Sequence, residues 1–364
     1  MCSLLTGLYA PIGADEPCLV RVVGTEDAGE WNARFAGNAG WIGGDGVYST
    51  KLDADRVLFL FGDTLIGKVN GGRRAGAAMI NNTVGILPLN PPDAPIRFVN
   101  RSTDEGRPAA IFNPGEVGGW FWPQAAIAQQ GRLIVFLAHI EKTDQPGAFG
   151  FKQVGQWLAV IDNPLDDPEK WNIRQQPIPF ADFHDTRQRV WGTAVLVEDE
   201  FAYIFGIEDH RWAGAKELIV ARAPIGQLFG FDAWRFFGGA DWLEQPSPAG
   251  LARGLANEFS VSRLSEGQGY ILVYTENGLS DRILGRTATA PWGPWSDPIV
   301  LYTCPEMAGD KGVFSYAAKA HPWADEAGQL LVSYCVNSWQ FARLFEDNDI
   351  YRPRFVRVKL AAVK

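Results

Sequence analysis

The stretch 44-GDGVYSTKLDADRVLFLFGDT-64 decides the architecture. It holds a polar opening, a short apolar run, a turn at Asp53–Asp55, and a second, continuous apolar run that ends in Gly-Asp-Thr. The run 57-VLFLF-61 is apolar at every position and reads as a strongly apolar strand. Self-similarity extends the pattern along the chain. The unit returns as 122-WPQAAIAQQGRLIVFLAHI-140, 191-WGTAVLVEDEFAYIFGIED-209, 257-NEFSVSRLSEGQGYILVYTEN-277 and 314-FSYAAKAHPWADEAGQLLVSYCVN-337. Openings near 45, 122, 191, 257 and 314 leave gaps of 77, 69, 66 and 57 residues, each room for four strands and their loops.

Candidate later strands follow at 157-WLAVID-162, 218-LIVARA-223, 283-ILGRTA-288 and 355-FVRVKL-360. Five such units predict an all-β, five-bladed β-propeller built as one domain over residues 1–364, with blades beginning near 44, 122, 191, 257 and 314. A pair of β-sandwiches is the competing architecture, and the regularity of the strand pair favours the propeller. Ring closure needs the two chain ends to pair, and 19-LVRVVG-24 is the candidate outer strand beside 355-FVRVKL-360.

Composition agrees. The 364 residues include 40 Gly, 23 Pro, 14 Trp and 22 Phe, which suits many short strands joined by turns better than long helices. A formal charge of −9 argues against a nucleic-acid partner, since a phosphate-backbone binder needs a basic face. No apolar run approaches the roughly 18 residues of a membrane helix, so no membrane partner is expected. Cys2, Cys18, Cys304 and Cys335 are scattered and read as free thiols more readily than as a bridge. The N-terminal MCSLLTGLYA lacks a basic start, so the expectation is a cytoplasmic protein or one whose leader has been removed. Oligomeric state is left open.

In a propeller the first strand of each blade lines the central channel, and its opening residues surround one mouth. Those are Asp45, Trp122 with Gln124, Trp191, Asn257 with Glu258, and Tyr316 with Lys319 and His321. The second strands end nearby, at Asp63, His139, Glu208 with Asp209, Glu276 with Asn277, and Asn337. A ring of acids, amides and aromatics is the expected outcome, which suits a small polar ligand with apolar faces, such as a carbohydrate. Trp122, Trp191 and Trp339 are candidate sugar platforms, though tryptophans between blades are often plain core.

The residues quoted carry a further signal. GGDGVYS with FGDT at the start, GPWSDP at 293–298, YAAKAHP at 316–322 and the late YRPRFVRV resemble five-bladed propeller proteins grouped as a domain of unknown function, some of which are endo-D-arabinanases. The architecture is also similar, more distantly, to the arabinanase, invertase and levansucrase propellers. The resemblance implies a glycoside hydrolase acting on arabinan-like or other glycosidic bonds. It implies that Asp45 and Asp63, 18 positions apart, are the catalytic pair. Glycoside hydrolysis uses two carboxyls across the scissile bond, one as acid and one as base or nucleophile. The deeper of the two would be the proton donor.

Other readings compete at each position. Asp45 can cap a tight turn, and Asp63 can bond its own backbone. Glu258 is a reserve acid or the partner of a nearby cation. Glu208 is a substrate contact or part of a solvated charge run. His321 lines the mouth or is a satisfied structural histidine. His139 and His184 lack zinc spacing, no cofactor is required, and acid and amide oxygens near the axis leave room for a structural Ca²⁺. The segment 291-PWGPWSDP-298 reads as a turn between outer strands with its tryptophans packed between blades. A non-catalytic carbohydrate-binding propeller and a glycoside phosphorylase or lyase are the rival functions. The phosphorylase would need a basic cluster, of which Lys319 with Arg343 or Arg354 is a thin version.

Overall fold

The computed structural model describes residues 19–145, 149–211, 215–264 and 269–363. Cys2, Cys18 and the N-terminal apolar segment lie outside the described residues. The chain is all-β with few helical turns, and its strands group into five antiparallel sheets of four or more strands, in chain order. The first sheet runs Tyr48–Lys51, Arg56–Phe61, Thr83–Pro88 and Arg97–Val99. The second runs Trp120–Gln129, Arg132–Lys142, Phe151–Ile161 and Ile173–Pro177. In the third, Arg187–Glu198, Phe201–Asp209 and Lys216–Pro224 form the centre of six strands. The fourth holds Phe259–Arg263, Tyr270–Thr275, Arg282–Ala288 and Ile299–Thr303.

The fifth sheet is made from both ends of the chain. Val313–Ala320, Gln329–Ser338 and Pro353–Ala362 are joined by Val20–Asp27, which lies antiparallel on the last strand with Val20 opposite Ala362 and Asp27 opposite Val356. The outer strand expected from 19-LVRVVG-24 is therefore in place.

Alternation along the second strands explains how the sheets stack. In the first sheet Leu58 and Leu60 face the second sheet, while Val57, Phe59 and Phe61 face the fifth. In the second, Leu133, Val135 and Leu137 face back to the first sheet, and Ile134 and Phe136 face the third. Tyr203, Phe205 and Ile207 of the third meet Leu272 and Tyr274 of the fourth. Ile271 and Val273 meet Val332, Tyr334 and Val336 of the fifth, and Leu331 and Cys335 return to the first. Five apolar cores thus lie between successive sheets and complete a cycle, a propeller-like arrangement that accounts for second strands with no polar face.

Close approach between sheets sets one sequence requirement. Gly192 has φ 84°, and a Cβ there would lie 1.9 Å from the Phe136 ring of the neighbouring sheet, so only glycine fits. The segment 291–298 packs as expected, with Trp292 and Trp295 against the core between the third and fourth sheets. Cys304 and Cys335 are buried free thiols. Among the described residues, no helix is long and apolar enough to cross a membrane.

Candidate active site

A bulge recurs in the first strands. Register shifts fall between Pro123 and Ala126, between Trp191 and Ala194, and between Tyr316 and Lys319. A bulge turns side chains that would otherwise alternate, and here it does so where the strands enter the mouth. The first sheet reaches the same end by a tight loop: Gly46 has φ 81° and Val47 φ 53°, and the Val47 and Gly62 amides both donate to the Asp45 carbonyl at 3.0 Å. That loop fixes Asp45 beside the end of the strand that delivers Asp63.

The two aspartates sit in different frames. Asp45 Oδ2 accepts from the Tyr316 hydroxyl at 2.7 Å and from the Tyr351 hydroxyl at 3.3 Å. Its Oδ1 lies over Gly62, where a Cβ would approach within 2.6 Å, so the glycine of FGDT makes room for the carboxyl. Asp63 Oδ1 accepts from the Trp122 indole N–H at 2.8 Å and from Asn81 Nδ2 at 3.2 Å. The Tyr351 hydroxyl also donates to the Asp63 carbonyl at 3.0 Å, tying the two residues together.

Burial pushes the Asp45 carboxyl up to about 8, reinforced by the negative charges of Asp63 and Glu258 and only partly opposed by the two tyrosine hydroxyls. Burial raises Asp63 to about 6, opposed by the Trp122 and Asn81 hydrogen bonds. At neutral pH Asp45 carries a proton and Asp63 is largely ionised.

Glu258 pairs with Lys319 at 3.2 Å. The Lys319 ammonium is buried, donates to the Ala317 carbonyl at 2.8 Å and sits 4.3 Å from the Tyr48 ring. Asn337 Nδ2 reaches the Tyr316 hydroxyl at 3.5 Å. The structure therefore brings together Asp45, Asp63, Trp122, Tyr316 and Asn337, with Glu258 and Lys319 close enough that the Glu258 charge is felt at Asp45.

Other expected contacts are engaged elsewhere. Trp191 is fully buried between the second and third sheets, and its indole N–H donates to the Phe180 carbonyl at 3.0 Å, so no ring face is left for a sugar. His321 is equally buried, held by Ser49 at 2.6 Å and Ser333 at 2.7 Å. Burial and the nearby Lys319 charge drive it down to about 3, so it is a neutral imidazole joining the fifth sheet to the first. Glu208 is buried in a two-pronged pair with Arg189, at 2.9 and 3.1 Å. Gln124 ends a buried amide chain, accepting from Gln156 at 2.8 Å, which in turn accepts from Gln153. Asn257 is exposed. His139 donates its Nε2–H to the Gly118 carbonyl at 2.8 Å. Among the described residues, no group of three or more His, Cys, Asp or Glu side chains is arranged to hold a metal ion.

Three participants were not foreseen. Asn81 sits in an ordinary turn. Tyr351 lies in the quoted YRPRF, which reads only as the start of a strand. Arg74 is fully buried and donates to the carbonyls of Ile42, Leu344, Asp347, Asn348 and Ile350, caging the segment that delivers Tyr351. Tyr351 itself has φ 58°, an uncommon conformation for a bulky residue. Nothing in a single sequence announces such a cage.

Residues 29–360 match the family described as a domain of unknown function, DUF5005. The chain belongs to this family. This member is also similar to the Notoamide biosynthesis cluster protein J' of Aspergillus versicolor, 28% identical over 176 residues, 47% of this chain and 44% of that protein. It thus spans under half the length of that curated relative. Among solved structures it is similar to a candidate hydrolase from Bacteroides ovatus, with a TM-score of 0.74 at 20% identity over 92% of this chain and 90% of that one. That likeness concerns the fold. A looser one, with a TM-score of 0.49 at 12% identity, is to an endo-arabinase from Bacteroides thetaiotaomicron, over 90% of this chain and 98% of that one.

Proposed function

We propose that the chain is a single five-bladed propeller domain acting as a glycoside hydrolase, with Asp45 as general acid and Asp63 as base or nucleophile. The observation that carries this is the pair of buried carboxyls linked through the Tyr351 hydroxyl and held in different frames, Asp45 by two tyrosine hydroxyls and Asp63 by an indole and an amide, with burial raising Asp45 further than Asp63. Two acids separated in this way supply both protonation states that glycosidic cleavage requires near neutral pH. The Asp45 proton passes to the glycosidic oxygen as the C–O bond breaks, and the Asp63 carboxylate activates water or attacks the anomeric carbon. The tyrosine hydroxyls on Asp45 Oδ2 then stabilise the carboxylate that is left.

Glu258, matched by the Lys319 ammonium, acts through its charge on Asp45 and is held in reserve as an acid. The substrate is a poly- or oligosaccharide. Preference for furanosides of the arabinan type rests on the family resemblance of GGDG and FGDT. A phosphorylase is disfavoured because the cations it would use are taken: Lys319 by Glu258, Arg343 by Asp310 and Asp347, and Arg354 by Glu306.

The test is a screen of the purified chain against arabinans, arabinogalactan, fructans, xylans and aryl furanosides, beside Asp45→Asn and Asp63→Asn. Cleavage of one substrate, lowered about a thousandfold or more in both folded variants, supports the assignment. Binding of a glycan by wild type and variants alike, with no cleavage by any, would instead identify a carbohydrate-binding module.

A further inference from the structure

Two large exposed rings meet each other. Trp339 is 52% exposed and Phe149 47%. They come from distant parts of the fold: Phe149 precedes the third strand of the second sheet, and Trp339 follows the second strand of the fifth. Yet their centroids lie 6.1 Å apart, and both rings meet Phe314, Phe149 at 6.1 Å and Trp339 at 4.5 Å. Phe314 is buried and roots the pair. It lies 5.5 Å from the Tyr316 ring, whose hydroxyl holds Asp45. A chain of ring contacts therefore links the exposed pair to the tyrosine that holds Asp45.

Single exposed apolar residues need no explanation, but rings from two sheets converging at a mouth do. Aromatic rings offer a flat apolar face that matches the C–H face of a sugar, with hydroxyls left to polar neighbours. The Trp339 indole N–H has no hydrogen-bond partner among the described residues and is available to a hydroxyl. The charges at this mouth fix the kind of sugar. Asp45, Asp63 and Glu258 face Lys319 as their one close cation among the described residues, so an anionic chain would be repelled.

We propose that the exposed rings of Phe149 and Trp339, rooted on buried Phe314, form a platform for a sugar ring next to the one presented to Asp45 and Asp63, so that the protein selects neutral oligosaccharide or polysaccharide chains over single-residue glycosides. This rests on the glycosidase assignment and deepens it.

The test compares kcat/KM for neutral oligosaccharides of two to six residues with that for the matching single-residue aryl glycoside, in wild type, Trp339→Ala, Trp339→Phe and Phe149→Ala. Trp339→Ala should lower kcat/KM on the longer chains about tenfold through KM. It should leave the aryl glycoside within about twofold, and Trp339→Phe should recover most of the loss. In the inactive Asp63→Asn background, a neutral tetrasaccharide should change tryptophan fluorescence, and adding Trp339→Ala should remove that change. Melting temperatures check the fold, which a half-exposed ring does not support. An unchanged chain-length preference in Trp339→Ala, an equal loss on the aryl glycoside, or a preference for polyuronides over neutral chains overturns the platform while leaving the catalytic pair intact. Neutral chains that are neither cut nor bound by wild type overturn both assignments.

Discussion

Asp45 and Asp63 share a mouth, and the Asp63 charge helps to raise Asp45, so the protons leave in two steps that belong to the pair. With one carboxyl near 8 and the other near 6, kcat/KM should follow a bell with limbs close to those values and a maximum near pH 7. Measured pH–rate profiles check this, and a profile still rising beyond pH 9 would sink the assignment of Asp45 as acid. Stability has its own sign. The unfolded Asp45 carboxyl titrates at its ordinary 3.8 and the folded one at about 8, so the folded chain holds an extra proton between these values. Stability therefore falls as pH rises across that window. Asparagine cannot ionise. Asp45→Asn should melt higher than wild type, and its advantage should widen from pH 4 to pH 8 and then level off. Melting temperatures at pH 4, 6, 8 and 9 decide it; a constant offset would mean that the carboxyl is not held protonated in the folded chain.

At the scale of an element, the segment between the second and third strands of the fifth sheet matters most. It carries Tyr351 at φ 58°, a conformation that costs of order 1–3 kcal/mol and persists only where the surroundings impose it. Arg74 imposes it through five backbone carbonyls, and the Gly44 amide adds a 3.0 Å bond to the Tyr351 carbonyl. Tyr351→Phe removes a donor that favours the Asp45 carboxylate, so the alkaline limb of the rate profile should move up. Tyr316→Phe, losing the 2.7 Å bond, should move it further. Arg74→Lys leaves several buried carbonyls unpaired and should cost about 3 kcal/mol in urea titrations. It should shift the limb in the direction of Tyr351→Phe, with no further shift in the double variant. A merely structural arginine would lower stability and leave the limb alone. These residues also mark where the sequence stops being legible. GGDG and FGDT could be read, because glycine beside aspartate at a strand end is a local signal. The cage could not, because it joins residues 74 and 344–350 through backbone carbonyls that every sequence possesses. Trp191 and His321 misled for the related reason that a strand opening and a blade interface use the same residue types.

For the whole molecule the question is what keeps the cycle of sheets shut. The repeat of strand pairs was readable from self-similarity along the chain, whereas the pairing of 19-LVRVVG-24 with the last strand rested only on the need to close a ring, because nothing local in the sequence names a partner more than 300 residues away. The energetics of closure lie in that joint. Val20–Asp27 puts only Val20 into the core, so it contributes through its ladder to Pro353–Ala362 and through pairs such as Lys359 with Glu26 at 3.0 Å. At about 1 kcal/mol net for each backbone hydrogen bond, such a ladder stabilises the closed form by several kcal/mol. Removing residues 1–27 should therefore lower the unfolding free energy by several kcal/mol and leave the last strand as a bare sheet edge, prone to pairing with another chain. The fifth sheet also carries Tyr316 and, through its following segments, Tyr351 and Trp339, so the loss should reach the mouth: activity should fall more steeply with temperature than in the full chain. Supplying a peptide of residues 19–28 should restore melting temperature and activity together. Recovery of neither, with the truncated chain as stable and as monomeric as the full one, would show that the ring is closed by its apolar cores alone and that the N-terminal strand only lies against it.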